Sequence, residues 1–137
     1  MTQYPVLSCT AIDAREPRAL AEFYRVLLGL HYRPGDEAPP PPQADDTAWI
    51  VLLDDDDRRV LAVQGKPDLR PSTWPSEEVP MQLHMDFRVP DAAALETQRA
   101  RAERLGARLL MDRSADPHEP LHVMGDPEGH PFCLLVG

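Results

Sequence analysis

The chain has 137 residues, 42% of them hydrophobic, enough for one globular domain or two small modules sharing a core. Its 23 acidic residues outnumber 14 basic ones, for a formal net charge of −9; this argues against a nucleic-acid partner, which needs a basic face, and against an anionic membrane surface. No apolar run is long enough to cross a bilayer, and the N-terminus lacks the basic-then-apolar pattern of a secretion signal, so a cytoplasmic location is expected, with Cys9 and Cys133 as reduced, buried thiols.

Val6 to Ile12 mixes β-branched and small residues and reads as a half-buried strand. Glu16-Pro17 opens a helix, because proline suits a first turn that has no use for its missing N–H. Leu20, Phe23, Tyr24, Leu27 and Leu28 recur at helical spacing, and Gly29 ends the run. Residues 33–46, with four consecutive prolines from Pro39 to Pro42, form a loop. This loop is read as a surface connection, with a rim or lid as the alternative. Thr47 to Leu53 and Val60 to Gln64 are the two strands of a hairpin around the turn of Asp54 to Arg58.

From Met81 the pattern begins again. Leu83, Met85, Phe87 and Val89 alternate with Gln82, His84, Asp86 and Arg88, so His84 lies on the polar face of a strand. Asp91 caps a helix that ends at Gly106. Arg108 to Met111, Leu121 to Met124 and Pro131 to Val136 follow as strands, the last two joined by the turn Asp126-Pro127-Glu128-Gly129. The order strand–helix–strand–strand–strand thus occurs twice, with one strand of the first copy unassigned. The organisation is a first module at 1–66, a linker at 67–80 that carries Trp74, and a second module at 81–137. His84 stands seven residues before its helix cap, and Cys9 seven before Glu16.

Several motifs then resemble the vicinal oxygen chelate superfamily, which includes glyoxalase I, bleomycin-resistance proteins and extradiol dioxygenases. These are Phe23-Tyr24-Arg25-Val26-Leu27-Leu28-Gly29, Leu105-Gly106-Ala107-Arg108 and Asp126-Pro127-Glu128-Gly129-His130-Pro131-Phe132. The segment from Pro67 to Pro75, followed by Gln82-Leu83-His84-Met85-Asp86, resembles its glyoxalase-like domain branch. The resemblance implies an α+β fold of two βαβββ modules whose curved mixed sheets enclose a cleft. In metal-using members four strands each supply a ligand to that cleft. Carried over one at a time, those positions fall on Cys9, Gln64, His84 and Cys133, of which only His84 matches the usual type.

A Cys, Gln, His, Cys set lacks a carboxylate for a hard metal, and two buried cysteines are the simpler reading, so no metal and no cofactor are expected. His84 is either a hydrogen-bonded cleft histidine or a polar handle or general base in an apolar pocket. The cleft candidates are His84, Gln64, Cys9, Cys133, Trp49, Trp74 and His122; no catalytic residue is assigned. The expected function is binding of an unidentified small molecule, a cationic one being favoured by the net charge. The alternative is a metal-dependent lyase, isomerase or dioxygenase of glyoxalase type. A homodimer, swapped or unswapped, is compatible with the repeat.

Overall fold

The structure is a computed structural model that describes residues 3–137. Its contacts divide the chain into two units, one running through Leu69 and the other spanning Arg70–Gly137. The first holds β1 (Thr10–Ala14), α1 (Pro17–Leu28), β2 (His31–Tyr32), β3 (Trp49–Leu53) and β4 (Arg59–Gly65). The second holds β5 (Met85–Val89), α2 (Ala92–Arg104), β6 (Arg108–Arg113), β7 (Leu121–Gly125) and β8 (Pro131–Val136). Their sheets have matching strand orders, β1-β4-β3-β2 and β5-β8-β7-β6. In each, the first and last strands pair in parallel and the remaining pairs are antiparallel. Each unit is therefore a βαβββ module with a mixed sheet, and the fold is α+β.

The helices form where the apolar spacing predicts. Helix α1 begins on Pro17 and buries Leu20, Ala21, Phe23, Tyr24 and Leu27. It stops at Gly29, whose left-handed φ of 68° lets its N–H return to the Arg25 carbonyl. Fully burying each of the larger side chains contributes about 1.5–3 kcal/mol, an upper bound against an extended unfolded chain. Helix α2 is capped by Asp91, whose carboxylate accepts from the Ala94 N–H at 2.8 Å, and buries only Leu95 and Ala102. The two helix starts differ: the Glu16 side chain makes no capping bond.

The strands depart from the sequence-based expectation where pairing decides their extent. Strand β1 starts at Thr10, not near Val6, its first rung to β4 being Thr10 with Leu61; Val6 and Leu7 are left 76% and 84% exposed. Strand β5 starts at Met85, not Met81, because β8 begins on Pro131, which has no N–H for an earlier rung. Cys9 and His84 therefore each stand immediately before a first strand rather than within it. The unassigned strand of the first module is β2, two residues that pair with Leu52 and Leu53, too short for an alternating pattern to register. Beyond it the Arg33 N–H donates to the Val51 carbonyl at 2.9 Å and the Val51 N–H to Asp36 Oδ2 at 2.9 Å. A carboxylate thus completes the hydrogen bonding of a central residue at this sheet edge.

Candidate functional site

The second module places three chemically able side chains on one face of its sheet. His84 stands immediately before β5 and Asp86 within it, and their side chains meet on the same side. Asp86 pairs in register with Cys133 on β8. The ligating atoms of His84, Asp86 and Cys133 all lie within 4.8 Å of one another. His84 Nε2 is 3.3 Å from Asp86 Oδ1, with side chains 40% and 54% exposed. Cys133 is buried, and burial first, then the neighbouring Asp86 carboxylate, pushes its thiol up to about 11. On its other flank Cys133 pairs with the buried Val123 of β7. The face thus grades from charged at the β5 edge to apolar at β7.

The strand that carries Cys133 is positioned by the Asp126–Gly129 turn. Asp126 is buried, and its Oδ1 accepts from the Glu128 and His130 N–H groups at 2.8 and 3.0 Å. Gly129 adopts φ +90°, and a Cβ there would lie 2.9 Å from the Pro71 Cβ. The glycine is required twice over, by conformation and by the closeness of Pro71.

The same positions in the first module are apolar. The first rungs Thr10↔Leu61 and Met85↔Phe132 correspond, so the counterparts of Asp86 and Cys133 are Ala11 and Ala62. Ala62 joins Val51 and Leu53 in a buried cluster against which Cys9 packs. In this register the residue that mirrors Cys133 is Ala62, whose side chain is a methyl group. Gln64 lies two residues further on, exposed, opposite Trp49, which is 40% exposed.

The other candidates lie elsewhere. Trp74 is half-buried in the segment ahead of β5, its N–H donating to Ser72 Oγ at 3.2 Å. His122 is 1% exposed and pairs with Asp112 and Leu134, which puts it on the opposite side of the sheet from Cys133. Its Nε2 is 3.6 Å from Glu96 of α2, so it sits under the helix and does not share a face with His84. Asp86 was not among the sequence-derived candidates, although the alternation that put His84 on the polar face put Asp86 there as well.

The glyoxalase-like domain family profile matches residues 9–135. The chain belongs to the glyoxalase-like domain family. A search of curated proteins finds no match. Among solved structures, this glyoxalase-like protein is similar to a glyoxalase/bleomycin resistance protein/dioxygenase family enzyme from Burkholderia phytofirmans PsJN, at 16% identity over 94% of this chain and 96% of the other, with a TM-score of 0.67. It is similar as well to the fosfomycin resistance protein FosX from Mesorhizobium loti, at 18% identity over 100% and 94% of the two chains and a TM-score of 0.67. FosX from Listeria monocytogenes gives 12% identity over 98% and 93%, with a TM-score of 0.68. These likenesses show a shared fold.

The four-strand metal set that the sequence resemblance implies does not fit the residues present. With Ala62 in the register position of the last strand of the first module, one of the four has no donor atom, and Cys9, only partly buried and not the buried thiol expected from the sequence, packs against Val51, Leu53 and Ala62. Only His84 is of the usual ligand type. No helix among the described residues is long and apolar enough to cross a membrane.

Proposed function

We propose that this glyoxalase-like protein binds a small organic molecule on the polar face of its second module, without the four-strand metal set of its superfamily. The observation that carries the reading is the convergence of His84, Asp86 and Cys133 beside the apolar Val123. An imidazole and a carboxylate, both partly exposed, next to an apolar strip supply the mixture of orienting polar groups and desolvating surface that small-ligand sites use. The carboxylate, together with a chain charge of −9, favours a cationic or hydrogen-bond-donating ligand. The fold likeness to resistance proteins is in keeping with capture of a small molecule, and the substituted metal positions weigh against a metal-dependent lyase, isomerase or dioxygenase.

The test is a thermal-shift screen of cationic, neutral and anionic small molecules, run with a chelator present. A ligand that binds only the native state raises the melting temperature by mass action. Cationic hits whose shift disappears in His84→Ala and Asp86→Asn are expected. Hits that survive both substitutions would place the ligand elsewhere, and a screen with no hit in any class would remove the binding reading.

A further inference from the structure

We infer that His84, Asp86 and Cys133 form a three-donor zinc site contained within the second module. The set differs from the superfamily's four-strand arrangement, since it draws nothing from the first module and adds a carboxylate, Asp86, that the four-strand pattern does not include. The inference goes beyond the binding of an organic ligand and is read without one.

Geometry is the first support. Zinc bonds of about 2.0–2.1 Å to nitrogen and oxygen, at the tetrahedral angle, separate the two donors by about 3.4 Å. His84 Nε2 and Asp86 Oδ1 are already 3.3 Å apart. All three donors fall within 4.8 Å of each other, and the sulfur is held on a paired strand while the other two side chains are exposed enough to adjust by rotamer. The Asp86–Cys133 rung fixes two donors in register on neighbouring strands, so little ordering remains for the ion to impose.

Charge and ligand type are the second support. One imidazole, one carboxylate and one thiolate suit zinc better than magnesium or calcium, which prefer oxygen donors alone. On binding, the Cys133 S–H bond breaks, an S–Zn bond forms and the proton passes to solvent. The thiolate and carboxylate then carry two negative charges against the two positive charges of the ion. Glu119 adds negative potential near the sulfur. Three protein donors leave a fourth position open on the exposed side.

The experiment uses the whole chain, stripped with chelator and titrated with zinc by calorimetry and with cobalt(II) by absorbance. Uptake of one equivalent is expected, with a thiolate-to-cobalt charge-transfer band in the near ultraviolet. His84→Ala, Asp86→Asn and Cys133→Ser should each weaken zinc by at least about tenfold, and Cys133→Ser should abolish the band. Cys9→Ser and Gln64→Ala should change neither readout. His84 and Asp86 are exposed, so their variants keep the fold, and circular dichroism verifies it. No stoichiometric uptake, a cobalt spectrum without the thiolate band, unchanged affinity in Asp86→Asn, or loss in Cys9→Ser would each overturn the site. The ligand screen with chelator is independent, so either result can fail while the other stands.

Discussion

Asp86 and Cys133 stand opposite each other on adjacent parallel strands, and a carboxylate oxygen and the thiol sulfur lie within 4.8 Å of each other. The pairing sets the behaviour of the thiol in the metal-free protein. Burial is the larger cause and the negative carboxylate the next, and together they push Cys133 up to about 11. At pH 8 its thiolate fraction is roughly a hundredfold lower than that of a thiol titrating near 9. Cys133 should therefore alkylate slowly in the presence of chelator, followed site by site by peptide mass spectrometry. Asp86→Asn should speed the reaction severalfold and move its pH midpoint downward, without reaching the rate of a free thiol, since burial remains. An unchanged midpoint would remove Asp86 as a cause.

The two helix starts make a matched comparison. Asp91→Ala removes a capping bond of 2.8 Å to Ala94 and should cost about 1 kcal/mol in denaturant unfolding. Glu16→Ala removes no capping bond and should change stability by only a few tenths of a kcal/mol. Equal losses would show that the cap at Asp91 is not what holds the start of α2.

Two glycines separate backbone strain from collision. Gly35 has φ +96° with nothing within 4 Å of a built Cβ, so Gly35→Ala should cost about 1 kcal/mol through conformation alone. Gly129→Ala adds a Cβ 2.9 Å from the Pro71 Cβ and should cost about 2 kcal/mol or more. Chemical denaturation of both variants gives the difference that belongs to the contact.

Glu22 gives a pH prediction. The Arg25 guanidinium, which donates through Nε and Nη2 at 2.8 and 2.6 Å, is the main cause holding its carboxyl down at about 2, with the Tyr32 hydroxyl assisting at 2.7 Å. A folded-state value below the unfolded 4.5 stabilises the native state above pH 4.5 and ceases to do so as pH falls through about 2. Glu22→Gln should flatten that part of the stability curve. Because the carboxylate is 48% exposed, the effect should stay under about 1 kcal/mol and shrink in salt.

His122 is buried with both ring nitrogens lacking a hydrogen bond, 3.4 Å from Asp112 and 3.6 Å from Glu96. An apolar replacement removes the unmet polar groups, so His122→Leu should be neutral or stabilising by about 1 kcal/mol, whereas His122→Ala should lose about 2 kcal/mol to a cavity. Both should bind zinc normally, since the residue lies under α2.

Much of the fold was legible in local chemistry. The apolar spacing of Leu20, Phe23, Tyr24 and Leu27, the Asp91 cap and the αL glycine after α1 act within one turn of chain, so their residue types announce them. The alternation from Leu83 to Val89 put His84 on the polar face. What the chain could not show by itself was extent and register. Where β1 and β5 begin is set by their first rungs to β4 and β8, Thr10 with Leu61 and Met85 with Phe132, and the two-residue β2 exists only because β3 lies beside it. The candidate site divides in the same way. The family resemblance nominates His84 and Cys133, but the place of Ala62 as the mirror of Cys133, the position of His122 on the helix side and the recruitment of Asp86 all follow from hydrogen-bond register. Local periodicity determined which faces are polar; long-range strand pairing decided which polar groups meet, because a one-residue shift in register carries every side chain to the other face.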